Sequence, residues 1–116
     1  MVSPAASLWF KTGAVSGASA VLLGAFGAHG LQNRVKDPKM LKNWDTAAQY
    51  HLLHSAVLLA VPFARRPNLV GGLITTGIVF FSGSLYTLVL TEKKRLGMIT
   101  PMGGLMFVAG WLCLLL

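Results

Sequence analysis

The sequence predicts an all-α protein, an integral membrane four-helix bundle, and three observations carry that prediction. Of its 116 residues, 54% are hydrophobic and 11% charged, against about 25% charged in an ordinary soluble domain. The charges are confined to Lys11, the segment from Arg34 to Asp45, Arg65 and Arg66, and the segment from Glu92 to Arg95. Between them lie uncharged stretches at 12–33, 46–64, 67–91 and 96–116, of 22, 19, 25 and 21 residues; a helix needs roughly 20 apolar residues to cross a bilayer.

Those stretches take up 87 of the 116 residues, so residues 1–116 read as a single transmembrane domain with helices at about 12–30, 45–63, 68–90 and 100–116. Function must then reside within the bundle, on its surface or on three short loops, which excludes most enzymes. A cleaved signal peptide is the rival reading of the first stretch, because Lys11 precedes an apolar run that ends among Ala25, Gly27 and Ala28; the run is long for the apolar part of such a leader. Cys113 is the single cysteine, so no intrachain disulfide forms and the thiol reads as packing.

Helix one carries Gly13, Gly17, Ala20, Gly24 and Ala28 at spacings of three and four. Lipid supplies no hydrophobic force between helices, so a smooth stripe that lets backbones approach is how membrane helices gain contact. Packing within the bundle is the plainer reading of that face, and a homodimer or partner interface the sharper one. Gly30 is the expected C-terminal cap. Helix two is expected to begin at a cap between Asn43 and Asp45, with Trp44 at the membrane interface and Pro62 near its end. Helix three tolerates its β-branched run because water cannot satisfy an open strand in lipid. Helix four opens with Thr100 as cap and Pro101 in the first turn, where the missing amide hydrogen costs nothing.

Four crossings put both termini with Arg65 and Arg66 on one side. The terminal side then has three basic residues, and the other has seven: Arg34, Lys36, Lys39, Lys42, Lys93, Lys94 and Arg95. The side richer in Lys and Arg faces the cytoplasm or matrix, so both termini face outward. No basic helix, aromatic platform or finger motif accompanies the positive charge, which argues against nucleic acid. Lys93, Lys94 and Arg95 suit anionic lipid, cardiolipin included, each contributing about 1 kcal/mol near an anionic surface; a solvated, orienting cluster is the plainer reading.

His29 at the end of helix one and His51 and His54 early in helix two fall toward the basic side, where Gln49, Ser55, Tyr86 and Thr100 also lie. Polar groups in hydrocarbon are expensive unless paired, so these residues are expected to form one polar layer. Four readings stand open: mutual hydrogen bonding that only holds helices together; a pocket for a lipid headgroup or quinone, whose carbonyl needs a His or Tyr donor; metal or haem ligation, weak for three imidazoles without a carboxylate or thiolate; and proton or ion transport, weakened because the apolar stretches hold no Asp or Glu. No metal or cofactor is expected. Gly24, Gly27 and Gly30 lack the spacing and the preceding strand of a dinucleotide fingerprint. Ser82, Gly83 and Ser84 lie mid-helix without the strand-to-helix turn of a nucleophile elbow, and read as close packing.

Four blocks in order, GAFGAHGL from Gly24, DTAAQYHLLHS from Asp45, FSGSLY from Phe81 and ITPMGG from Ile99, followed by Gly110 and Trp111, resemble the transmembrane protein 256 family of small bacterial and eukaryotic membrane proteins. The resemblance spans nearly the whole chain and implies a small multi-pass helical protein. It brings no activity and no role for His29, His54, Tyr86 or Pro101, which stand at family-like positions. It also makes the mitochondrial inner membrane an expectation, with termini in the intermembrane space. The reading is therefore a noncatalytic accessory or structural subunit of a larger membrane complex. The alternatives are a protein binding lipid, quinone or haem through the polar layer and, behind it, a transporter.

Overall fold

The computed structural model describes residues 3–116. Helices α1 (Pro4–Ala28), α2 (Leu31–Arg34), α3 (Pro38–Leu59), α4 (Pro67–Gly77), α5 (Ser84–Thr91) and α6 (Thr100–Cys113) are joined by 3-10 turns and a π-helix, Ile78–Gly83, and no strand occurs among the described residues. The π-helix links α4 to α5 without a break, so they form one rod from Pro67 to Thr91.

Two helix starts lie earlier than the uncharged stretches suggest. α1 begins at Pro4 rather than near 12, because Ser3 accepts a hydrogen bond from the Ala6 amide at 3.1 Å and Pro4 occupies the first turn, both strong start signals. α3 begins at Pro38, with Asp37 accepting from the Lys39 amide at 2.9 Å; Asn43 and Asp45 are two turns inside it. Gly30 does not cap α1. His29 is the cap residue and Gly30, with φ −69° in the right-handed region, leads directly into α2. Thr100 is the first residue of α6 rather than its cap, a place taken by Ile99.

α1 packs along α3, the α4–α5 rod packs along α6, and α3 also lies against the rod. Each pair is antiparallel. Gly13 faces Leu58, Gly17 faces Ser55, Gly24 faces Ala48 and Gly27 faces Trp44, so advance along α1 is retreat along α3. Trp44 meets Tyr86 and Tyr50 meets Phe81 across α3 and the rod, while Ile74, Gly77 and Phe81 meet Gly110, Phe107 and Gly103 or Gly104 across the rod and α6. The small-residue face of α1 thus turns toward α3 and is tightest at Gly13, where a Cβ would sit 2.7 Å from Leu58 Cβ and 2.8 Å from the Ser55 carbonyl, and looser at Gly17 and Gly24. Ala20 is buried with it, whereas Ala28 is exposed.

Two apolar clusters fill the interior. One gathers Val57, Leu58, Val61, Val70, Ile74, Ile78 and Phe107, with Trp9 and Cys113 against it; the other gathers Leu31, Met40, Trp44, Leu88 and Val89. Trp44, expected at the membrane interface, is buried in the second, and its indole N–H donates to the Leu23 carbonyl at 2.8 Å.

The exterior is apolar as well. Val15, Leu22, Leu105 and Leu112 are exposed along the helices, and every charged side chain is exposed. The molecule measures 48 × 25 × 17 Å between Cα atoms, longer than the roughly 30 Å hydrocarbon layer. Two stretches are long and apolar enough to cross a membrane: Pro67–Thr91, mean hydropathy 1.8, and Lys94–Cys113, 1.6. α1 and α3 are long enough but lack that composition, α1 through Lys11 together with its Gly and Ser residues and α3 through its Lys, Asp, Gln and His.

Candidate functional site

The polar layer lies between the two apolar clusters, and α3 is its hub; because α3 begins at Pro38, His51 and His54 lie in its second half and not, as expected, toward the basic end. His51, His54 and Ser55 are buried on the side of α3 that faces the other helices. His51 Nδ1 is 3.0 Å from Tyr86 Oη of α5, and His51 Nε2 is 3.0 Å from Ser16 Oγ of α1. Ser16 Oγ is in turn 2.6 Å from Ser55 Oγ, and the Ser55 hydroxyl donates to the His51 carbonyl at 2.6 Å.

Donor accounting sets the direction of every bond in this chain. A carbonyl only accepts, and a hydroxyl has one hydrogen. Ser55 spends its hydrogen on the His51 carbonyl, so Ser16 must donate to Ser55. Ser16 then has only lone pairs for His51, whose Nε2 therefore carries the hydrogen. His51 Nδ1 is left as acceptor, and Tyr86 donates to it. The chain from Tyr86 through His51, Ser16 and Ser55 closes on the backbone of His51, with the neutral imidazole as its centre.

His54 sits one turn further along α3. Its Nδ1 donates to the Tyr50 carbonyl at 2.8 Å, and its Nε2 accepts from the Trp111 indole N–H at 3.1 Å. The imidazole stacks on Phe107, ring centroids 3.6 Å apart and planes at 12°. The two histidines are thus held as opposite tautomers, His51 tying α3 to α1 and α5, and His54 tying it to α6. Ser82 adds a bond to the Ala47 carbonyl at 2.8 Å, and Ser84 and Thr100 hydroxyls meet at 2.6 Å. Among the described residues, Thr75 Oγ1 is the buried side-chain oxygen or nitrogen left without a partner.

His29 and Gln49 do not join the layer. His29 is exposed beyond the end of α1, and Gln49 is exposed on α3, where it donates to Asp45 at 3.1 Å. Helix direction gives a residue's depth but not its azimuth, and on both helices the side chain points outward. Ser16, Ser82 and Trp111 are the members that sequence reasoning left out of the layer. Ser16 was masked by the small-residue stripe around it, although a hydroxyl midway along an apolar helix is itself a sign of a polar partner.

The arrangement offers little ligating chemistry. All four ring nitrogens of His51 and His54 are engaged within the protein, so ligation of haem or a metal by either first breaks an internal bond. No group of three or more His, Cys, Asp or Glu side chains placed to hold a metal occurs among the described residues. Lys93, Lys94 and Arg95 are exposed at one end of the molecule. An apolar groove of about 600 Å³ lies between α1 and α3, lined by Gly13, Ala14, Gly17, Ala18, Val21, Leu52, Leu53, Ala56 and Leu59, with Gln49 and Ser55 as its polar members.

Residues 23–104 match a family model described as a protein of unknown function (DUF423). A UPF0382 membrane protein of Staphylococcus aureus is 45% identical over 114 residues, covering 94% of this chain and 93% of its own. One from Schizosaccharomyces pombe is 41% identical over 117 residues, covering 94% and 98%, and one from Bacillus subtilis is 45% identical over 107 residues, covering 86% of each. No solved structure matches. The matched segment runs from the end of α1 to the first turn of α6 and takes in His51, His54, Ser82 and Tyr86, so the polar layer lies largely within what is shared, and the chain belongs to the DUF423 family of membrane proteins.

Proposed function

We propose that the chain is a four-pass integral membrane protein that acts as a small noncatalytic subunit, packed against partners in a larger membrane assembly. The observation that carries this reading is the pairing of a self-satisfied interior with an open apolar groove. The polar side chains of the layer are used up in joining helices, and the groove beside Gly17 and Ala18 offers close approach to a partner's helix. The alternative, a site for lipid headgroup, quinone or haem, is weakened by the loss of His29 and Gln49 from the layer and by the engaged nitrogens of His51 and His54. A transporter is weaker still, since the hydrogen-bond chain closes on itself instead of running from face to face.

Both termini are proposed on the outer side, a reading that the basic asymmetry of three against seven supports. Relatives in bacteria and in a fission yeast suit a membrane of bacterial descent, which supports the mitochondrial inner membrane, and the four ordered sequence blocks support grouping with the transmembrane protein 256 family. Anionic phospholipid, cardiolipin included, is proposed at Lys93, Lys94 and Arg95, whose exposure suits headgroup contact.

The test is the native size of tagged protein extracted in mild detergent, with mass identification of what co-migrates. A discrete complex far larger than 12.4 kDa plus its micelle, lost on Ala18→Leu, is the expected result. A free monomer carrying a stoichiometric small molecule overturns the subunit reading in favour of the ligand site.

A further inference from the structure

The geometry points to an acid-sensitive latch between α3 and α6, in which protonation of His54 releases the Trp111 end of α6. The inference rests on donor accounting alone and is independent of the accessory-subunit reading. His54 Nδ1 is committed as donor, because the Tyr50 carbonyl 2.8 Å away can only accept. His54 Nε2 must therefore offer its lone pair to the Trp111 indole at 3.1 Å. An indole nitrogen is donor only. When a proton is added at Nε2, two N–H groups confront each other, and neither partner can turn to relieve the conflict.

The contrast with His51 makes the assignment specific. A proton added at His51 Nδ1 meets the Tyr86 hydroxyl, 3.0 Å away, which rotates and presents a lone pair. The same chemical event is absorbed at one histidine and breaks an interhelical bond at the other.

The surroundings allow the switch. The rings facing His54 are Tyr50 on α3 and Phe107 and Trp111 on α6; Tyr50 is the titratable one, and no charged side chain is among them. His51 lies one turn back on α3. Cys113, two residues beyond Trp111, packs into the adjoining apolar cluster. The charges toward that end of the molecule are Lys11, Arg65 and Arg66, and Arg65 donates to the Leu116 carbonyl at 3.2 Å. Trp111 is half-exposed and lies in the last turn of α6, near the chain's C-terminal end. Phe107 stacks on His54 and α6 stays seated on the rod at Gly103 and Gly110. Release is therefore confined to the final turn of α6.

The three tryptophans make the test internally controlled. Trp9 donates to Asn68 Oδ1 at 3.0 Å and Trp44 to the Leu23 carbonyl at 2.8 Å, and neither acceptor titrates in the accessible range. The full chain in mild detergent, labelled with 15N-tryptophan and assigned with Trp111→Phe, is titrated from about pH 7.5 to about pH 4.5, the range in which histidines exchange charge. The Trp111 indole signal is expected to move upfield, as a lost hydrogen bond requires, while those of Trp9 and Trp44 stay in place. In His54→Gln, whose side-chain oxygen accepts but does not titrate, the Trp111 movement should vanish. A Trp111 signal that stays fixed, that moves equally in His54→Gln, or that moves only together with Trp9 and Trp44 overturns the proposal.

Discussion

At the scale of single residues, the account turns on where each hydrogen goes. Tyr86 is donor to His51, so Tyr86→Phe should remove one interhelical bond with little change in shape. A cost of roughly 0.6–1.7 kcal/mol, the range for hydrogen bonds between membrane helices, is expected in reversible unfolding in mixed detergent micelles. Ser16→Ala removes both a donor to Ser55 and an acceptor for His51, and a Ser16→Ala and Tyr86→Phe cycle should show coupling, because the two share the His51 ring. The glycines divide as sharply. Gly13→Ala places a carbon 2.8 Å from the Ser55 carbonyl, while nothing lies within 4 Å of the Cβ position at Gly72. Gly13→Ala should destabilise by about 1–3 kcal/mol, and Gly72→Ala should stabilise by about 0.5–1 kcal/mol through helix propensity, both read from the same unfolding curves. That His51, His54 and Tyr86 find polar partners was legible, because ionisable and hydroxyl groups in apolar stretches demand them. That His29 and Gln49 point away was not, since azimuth depends on how the helices are rotated against one another.

At the scale of elements, caps decided what hydropathy blurred. Ser3 with Pro4 and Asp37 with Pro38 extend α1 and α3 beyond their uncharged stretches, as the capping side chains dictate; an edge drawn from charges alone falls a turn or two inside. The π-helix at Ile78–Gly83 left no periodic trace, for one widened turn shifts a 3.6-residue pattern too little to be noticed within so apolar a run. Its consequence is structural. Ala47 to Ser82 and Tyr50 to Phe81 join α3 to this segment, with Trp44 to Tyr86 just beyond it in α5, and the backbone of Gly103 rests directly against it. A Cβ at Gly103 would collide with the Phe81 amide nitrogen and stand 2.7 Å from the Phe80 carbonyl carbon. Backbone cannot turn aside as a side chain can, so Gly103→Ala should force α6 off the rod and cost at least as much as Gly13→Ala. Gly97→Ala, whose nearest neighbour is a Leu88 methyl at 3.4 Å, serves as the mild comparison in the same thermal-unfolding series.

At the scale of the whole molecule, the chain has an apolar outside, a polar middle and charged ends. The uncharged stretches made the all-helical fold legible, because long apolar runs without turn signals read as helices; of the four expected crossings, two have the length and composition of a membrane span. The helices differ in composition: Pro67–Thr91 and Lys94–Cys113 are apolar enough to span a membrane, whereas α1 and α3 are not. A two-pass arrangement that left α1 and α3 outside the membrane would pull α3 from the rod and α6 and break the His51–Tyr86 and His54–Trp111 bonds. In the four-pass account the layer exists because α3 carries polar groups that lipid cannot solvate. Single cysteines at Ser3, Asn33, Arg66 and Lys94, in a Cys113→Ser background, separate the two when labelled with an impermeant thiol reagent in sealed vesicles of one orientation. The account predicts that positions 3 and 66 label together from one side and 33 and 94 from the other; labelling of 3, 33 and 66 from the same side, with 94 opposite, contradicts it.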